Sequence, residues 1–166
     1  ADANIKPLLD GGSQERNMRA GTENVHGIAG MGRALELAIE HMEENKQHIL
    51  TLQHYMINAL YKHIPEVAFN GDISDEGSNY KVLSVSMPPH PKAELLLFNL
   101  DIAGIAASGG SACTSGSEKG SHVLEAIYAP IDRKAIRFSF SKYTTQAEID
   151  YVIENLKRIL DVPVTA

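Results

Sequence analysis

A long pattern of apolar residues at helical spacing limits the possible folds of this chain more than any other part of its sequence. Apolar residues recur at three- and four-residue steps from about Val25 to His63, which predicts an amphipathic helix over that range. The polar stretch 43–48 indicates a kink or a break into two helices. Pro65 ends the pattern because proline cannot continue a helix.

Shorter segments of both types follow. We expect strands at 67–70, 82–87, 102–107 (interrupted at Gly104) and 135–140, and helices at 93–100 and 122–128. The last helix opens with the capping box Thr145-x-x-Glu148 and should bury Ile149, Val152, Ile153, Leu156 and Leu160. Strands interleaved with helices predict an α/β fold, a two-layer α+β domain.

The composition narrows the class of protein. The 166 residues are 43% hydrophobic and carry a net charge of -6, which disfavours nucleic-acid binding. One cysteine cannot form an internal disulfide, and no apolar run is long enough to span a membrane. No secretory signal is visible, so we expect a cytoplasmic protein. Without a close cluster of histidines and carboxylates, we expect no metal site.

The single cysteine, Cys113, lies in a segment rich in serine and glycine that precedes a predicted helix. This setting favours a surface loop with a reactive thiol over a buried, inert one. The sequence leaves three chemistries open. A phosphatase loop needs an arginine six positions on, where Lys119 stands, so it is disfavoured. A cysteine hydrolase could use His122 as its base. A persulfide carrier needs only an accessible thiol.

Two further positions are candidates for anion binding. Arg137 interrupts an apolar strand, with Ile136 and Phe138 expected on the other face. It either points to solvent or clamps a carboxylate through the two-pronged geometry of its guanidinium. Arg19 and Thr22 could form an anion-binding edge, and Thr22 could also cap the helix that follows.

Together these segments resemble the C-terminal part of cysteine desulfurases, pyridoxal-phosphate (PLP) enzymes of the class-V aminotransferase group. The resemblance runs nearly end to end and is carried by four segments in the same order: Gly11-Gly-Ser-Gln-Glu-Arg-Asn-Met-Arg-Ala-Gly-Thr-Glu-Asn24, Ser108-Gly-Gly-Ser-Ala-Cys-Thr-Ser115, Ile136-Arg-Phe-Ser139 and Tyr143-Thr-Thr-Gln-Ala-Glu-Ile-Asp150. The cysteine segment is typical of the branch that serves iron–sulfur cluster assembly. The resemblance implies the small C-terminal domain of a fold-type I PLP-dependent transferase.

The resemblance also implies a reaction and roles for three residues. The enzyme takes sulfur from L-cysteine, leaves L-alanine, and uses PLP as an electron sink. Cys113 matches the nucleophile that receives the sulfur as a persulfide and passes it to an acceptor or scaffold protein. Arg137 matches the arginine that holds the substrate carboxylate. Thr22 matches the residue that reaches the cofactor phosphate of the neighbouring subunit in a homodimer.

The chain departs from the family pattern in one important respect. The lysine that binds PLP follows a Ser-His pair upstream of the Gly-Gly segment, and no lysine here has that context. We therefore expect residues 1–24 to be the tail of a large cofactor domain and residues 25–166 to be the small domain. Such a chain alone should not turn over cysteine. The alternatives are a free-standing persulfide carrier or regulatory domain without cofactor, and an interaction module with an incidental cysteine.

Overall fold

The computed structural model describes residues 6–109, 121–127 and 132–162. The chain divides into two compact units, Ala1–Met42 and Glu43–Ala166. Within the described residues, no helix is both long and apolar enough to cross a membrane.

The first unit holds a short helical turn, α1 (Gln14–Asn17), and the helix α2 (Val25–Glu40). Glu15 and Arg16 of α1 have positive φ angles of 48° and 57°, so this turn is left-handed. The N-cap of α2 is Asn24, whose side chain accepts a hydrogen bond from the Gly27 amide at 3.0 Å. The expectation that Thr22 caps this helix is therefore wrong, because the chain enters the helix two residues later.

The predicted long helix is two helices. α3 (Met42–His63) follows α2 after one residue, His41, whose φ and ψ of -102° and 11° are not helical. The break thus precedes the polar stretch 43–48 instead of lying within it. Those polar residues form the first turns of α3, where the acidic side chains of Glu43 and Glu44 suit a helix N-terminus.

The second unit contains one antiparallel sheet of four strands: β1 (Ala68–Phe69), β2 (Val82–Ser86), β3 (Ser108–Gly109) and β4 (Ala135–Ser139). The order across the sheet is β1-β2-β4-β3. β2 and β4 pair over their whole length, from Val82 opposite Ser139 to Ser86 opposite Ala135. β4 is therefore an inner strand with a partner on each side.

Helices complete the second layer of this unit. They are α3, a 3-10 turn (Ala93–Leu95) that leads into α4 (Leu96–Ile102), and α6 (Gln146–Ile159), whereas the short helix α5 (His122–Ala126) buries no side chain. The core lies between the sheet and these helices; its most buried members include Met56, Leu60, Leu83, Val85, Leu100, Ile136, Phe138, Ile153 and Leu156. This arrangement confirms the predicted α+β class, and the capping box at Thr145 and Glu148 is present.

One predicted strand is wrong. The range 102–107 ends a helix and forms a loop, and the strand β3 begins only at Ser108. Gly104, at φ 74°, ends α4 in a Schellman motif: its amide donates to the Asp101 carbonyl and the Ile105 amide donates to the Leu100 carbonyl. The glycine thus terminates a helix where the sequence suggested an interrupted strand.

Candidate functional site

β4 places Arg137 on the outward face of the sheet. Along β4, Ile136 and Phe138 are buried in the core while Arg137 between them is half-buried. Successive side chains of a strand point to opposite faces, so Arg137 faces away from the core. This is the face that the sequence pattern predicts for it.

Arg137 is the centre of a polar row that crosses the sheet. Ser84 of β2 is its Cα partner on one side and Ser108 of β3 is its partner on the other. The register extends to Asn70, just after β1, whose amide donates to the Ser84 carbonyl at 2.9 Å. The row is thus Asn70, Ser84, Arg137 and Ser108, and we call it the polar row.

Small side chains surround the guanidinium on this face. The positions two residues before and after it on β4 are Ala135 and Ser139, and its cross-strand neighbours are Ser84 and Ser108. Residues that share a face are spaced by two along a strand and sit directly opposite across strands. No bulky neighbour therefore covers Arg137 from within the sheet.

Among the described residues, the Arg137 side chain has no hydrogen-bond or ion-pair partner. The other two arginines of the second unit are occupied: Arg133 donates to Ser86, and Arg158 donates to the Asn155 side chain at 2.7 Å. A guanidinium presents five donors in a fixed planar fork. A half-buried one without a protein acceptor is suited to bind an anion, and a carboxylate fits it in a bidentate manner.

Sequence reasoning missed Asn70, Ser84 and Ser108 as members of this site. For Ser84 the sequence does hold a signal, because the alternation in Val82-Leu-Ser-Val-Ser86 predicts a strand with one apolar face and one polar face that includes Ser84. The pairing of Ser84 with Arg137 could not be read from the sequence, because register between distant strands is a property of the folded sheet.

Two of the three predicted site residues, Thr22 and Arg137, lie within the described residues. Cys113 lies outside the described residues, and Thr22 belongs to the first unit while Arg137 belongs to the second. Thr22 is exposed, and its hydroxyl has no partner within the described part of the chain. Arg19 is already occupied, since its guanidinium donates to the carbonyls of Gly21 and Thr22 and to the Glu23 carboxylate. The expected anion-binding edge at Arg19 is therefore not free.

A separate cleft of about 490 Å³ opens between the end of β4, the segment after α4 and the first turns of α6. Its floor is mostly apolar and includes Met56, Phe138, Phe140, Ile149 and Val152. Ser139 at the end of β4 also lines it, but Arg137 and its cross-strand neighbours do not. It does not contribute to the polar row.

The pKa shifts resolved among the described residues belong to side chains outside the polar row. The Lys92 ammonium, hydrogen-bonded to Asp161, lowers the pKa of that carboxyl. Hydrogen bonds from Ser74 lower the pKa of Asp72. The hydrogen bond to Asp150 raises the pKa of the Tyr55 phenol. None of these groups faces Arg137 in the register of the sheet.

Comparison with known proteins gives a consistent set of relatives. The family model described as aminotransferase class-V matches residues 7–152. The cysteine desulfurase IscS of Dictyoglomus turgidum is 43% identical over 159 residues, which is 95% of this chain and 40% of that protein. A cysteine desulfurase of Nostoc sp. is also 43% identical, over 95% of this chain and 39% of its own length.

Solved structures show the same fold. A NifS-like protein superposes with a TM-score of 0.75 at 33% identity, over 95% of this chain and 39% of its own. A NifS-like protein from Rickettsia africae gives a TM-score of 0.73 at 31% identity, over 96% of this chain and 41% of its own. The chain therefore spans about 40% of the length of the relatives that it matches.

Proposed function

Since the chain belongs to the aminotransferase class-V family, we propose that it is the C-terminal part of a cysteine desulfurase. The whole protein removes sulfur from L-cysteine, gives L-alanine, and hands the sulfur to an acceptor. The observation that carries this proposal is a half-buried arginine without a partner among the described residues, Arg137, in a chain that is 43% identical to cysteine desulfurases over 95% of its length.

Cys113 receives the sulfur in this proposal. Its thiolate attacks the sulfur atom of the substrate, the new S–S bond forms, and the bond between that sulfur and the substrate β-carbon breaks. The electron pair of the broken bond stays with the β-carbon, which takes up a proton and becomes the methyl group of L-alanine. Cys113 is left as a persulfide, and a thiolate of an acceptor protein can then take the outer sulfur.

Arg137 holds the carboxylate of the substrate. Its side chain leaves the outward face of an inner strand that is paired on both sides, so its backbone is firmly placed. The small neighbours in the sheet leave room for a ligand above it. A bidentate pair between the guanidinium and the carboxylate would fix the orientation of the amino acid as well as its position.

PLP supplies an electron sink for this reaction when it is bound. Of this chain's residues, Thr22 fits a contact to the cofactor phosphate, since its hydroxyl is exposed and without a partner in the described residues. A hydroxyl can donate one hydrogen bond to a phosphate oxygen. In the proposal this contact is made to the cofactor of the neighbouring subunit of a homodimer. The lysine that binds PLP lies elsewhere in the longer protein.

The remaining features of the proposal follow from the family. Residues 1–24 are the tail of the large cofactor domain, and residues 25–166 form the small domain. The protein acts in the cytoplasm, and its acceptor is a sulfur carrier or a scaffold for iron–sulfur cluster assembly. The chain alone is inactive because it has no lysine in the cofactor-binding context.

The test compares this chain with the longer polypeptide that carries the upstream domain. Each is incubated with L-cysteine and PLP, and its intact mass is measured under non-reducing conditions. We expect the longer form alone to gain one sulfur at Cys113, and its Cys113→Ser variant to lose alanine production. If the chain alone gains sulfur from a persulfide donor while the longer form never releases alanine, the cofactor-free persulfide carrier replaces the desulfurase.

A further inference from the structure

We propose that Ser84 is a second hydrogen-bond donor to the carboxylate held by Arg137, and that Asn70 positions the Ser84 hydroxyl for that task. The inference rests on the proposed function and names two further residues of the same site. The juxtaposition that carries it is that Asn70, just after β1, lies opposite Ser84 of β2, and that Ser84 lies opposite Arg137 of β4.

Ser84 and Arg137 form a pair in which the side chains lie close. The Phe140 amide donates to the Lys81 carbonyl and the Met87 amide donates to the Lys134 carbonyl. Hydrogen-bonded and non-hydrogen-bonded pairs alternate along an antiparallel ladder, so the pair of Ser84 and Arg137 is of the non-hydrogen-bonded kind. In such pairs the Cβ atoms are about 4.5–5.5 Å apart.

Asn70 determines which way the Ser84 hydroxyl can act. Its Nδ2 atom donates to the Ser84 Oγ at 3.2 Å. Because Asn70 already supplies a proton to this oxygen, the hydroxyl proton of Ser84 is free to be donated elsewhere. Within the described residues, no acceptor for that proton is present.

The two free donors define the ligand chemistry. A guanidinium and a hydroxyl proton on the same face require a group that only accepts hydrogen bonds. A carboxylate provides this with two oxygens: both accept from the fork of Arg137, and one of them also accepts from Ser84 through its second lone pair. An α-amino acid therefore binds through three donors on two adjacent strands, and the Ser84 contact limits rotation of the carboxylate on the arginine.

The first experiment uses two variants of nearly the same shape in the intact, PLP-loaded protein. Ser84→Thr keeps the hydroxyl and Ser84→Val removes it, and both side chains are branched at Cβ. We expect Ser84→Val to raise the KM for L-cysteine and the Kd for L-alanine about tenfold, the value of a hydrogen bond to a charged acceptor, with kcat changed little. The KM for L-cysteine and the Kd for L-alanine of Ser84→Thr should stay close to those of the original protein.

The second experiment tests the positioning role of Asn70. We expect Asn70→Ala to raise the Kd for L-alanine when Ser84 is present, and to have no further effect in the Ser84→Val background. An equal effect in both backgrounds would show that Asn70 acts on the sheet and not through the hydroxyl, and would overturn this part of the inference.

The outcomes separate this inference from the proposed function. Equal KM and Kd values for the Thr and Val variants, with normal turnover, overturn the role of Ser84 and leave the desulfurase intact. If the protein binds L-alanine but releases none from L-cysteine, the desulfurase fails while the Thr and Val comparison of Kd still decides the inference. Failure to bind L-alanine at all overturns both.

Discussion

Arg133 makes two hydrogen bonds to Ser86: its Nε atom donates to the Ser86 Oγ at 2.8 Å, and its Nη2 atom donates to the Ser86 carbonyl at 2.8 Å. The same Nη2 also donates to the Glu66 carbonyl. Arg133 thus ties the end of β2 to the segment that leads into β1. Since Ser86 is only 4% exposed, its hydroxyl depends on this arginine for a partner.

Replacing Arg133 by alanine should destabilise the second unit. The change leaves the buried Ser86 hydroxyl and carbonyl without this donor, so we expect the free energy of unfolding to fall by about 2–3 kcal/mol. Lys134→Ala is the control, because its ion pair with Glu94 is largely exposed and should change stability by less than about 1 kcal/mol. Urea unfolding followed by circular dichroism measures both. Equal losses for the two variants would contradict the prediction.

Replacing Gly104 by alanine should also destabilise the protein. No atom lies within 4 Å of the added Cβ, so the cost comes only from the positive φ of 74°. We expect a loss of about 1–2 kcal/mol, which is the penalty of a left-handed residue with a side chain. Gly104→Asn is the matched variant, since asparagine tolerates this conformation better. Thermal melts should rank the three proteins glycine, asparagine, alanine, and alanine at or above asparagine would refute the explanation.

Thr145 should be replaceable by serine but not by alanine. Its hydroxyl accepts from the Glu148 amide at 3.3 Å, and the Glu148 carboxylate accepts from the Thr145 amide at 2.7 Å. Losing the hydroxyl should cost about 1 kcal/mol, while Thr145→Ser keeps the cap. Denaturant midpoints of the two variants test this. A serine variant as weak as the alanine variant would point to the lost methyl group and not to the cap.

The ion pair between Lys92 and Asp161 should make stability depend on pH in acid. The Lys92 Nζ lies 2.8 and 2.6 Å from the two carboxylate oxygens, and this contact holds the folded-state pKa of Asp161 below its ordinary value of 3.8. The unfolded chain therefore binds the proton more readily, so the contribution is complete above pH 3.8 and is lost as the pH falls through the lowered pKa.

Lys92→Met removes this contribution, so the free energy of unfolding of this variant should fall less steeply as the pH decreases in acid. Unfolding midpoints measured between neutral pH and pH 2 check it. Lys142→Met serves as the control, because the Lys142 ammonium lies over the Tyr143 ring and contacts no carboxylate in the part of the chain that the structure describes. If the unfolding free energy of Lys92→Met falls as steeply in acid as that of the original protein, the ion pair is not the cause of the decrease.

Arg137→Ala should chiefly weaken binding of the substrate in the intact protein. Removal of one partner of a charge-assisted pair costs about 2–5 kcal/mol, so the KM for L-cysteine should rise steeply. Arg137→Lys should restore part of the lost substrate binding, because the lysine ammonium keeps the positive charge but not the planar fork of the guanidinium. Steady-state kinetics with alanine as the measured product give the test. An unchanged KM in both variants would remove Arg137 from the carboxylate site.

The parts of the fold that depend on local chemistry could be predicted from the sequence. The capping box at Thr145 and the stop before Pro65 involve groups within one turn of each other, so the residues alone indicate them. The break at His41 and the true cap at Asn24 were misplaced by a few residues, because several nearby positions offer similar polar groups. Gly104 was misread since a positive φ serves equally in a strand bulge and at a helix end.

The candidate site could be predicted only in part. Arg137 was found because a charge within an apolar strand is conspicuous. Ser84 and Asn70 were missed, since their approach to Arg137 depends on two strand registers set by the core packing of Leu83, Val85 and Phe138. The roles of Cys113, Arg137 and Thr22 all remain predictions that rest on the family resemblance.

The position of Arg137 on an inner strand has a consequence for hydrogen exchange. Strands at the margin of a sheet open by local fluctuations, while a strand bonded on both sides exchanges its amides only when larger parts of the domain unfold. The amides of Ile136 and Phe138 face β2 and are protected in this way, while the Arg137 amide faces the two-residue edge strand β3 and should exchange when β3 frays. The backbone at the proposed carboxylate anchor is thus held through its two neighbours, whose amides should exchange only when the whole unit unfolds.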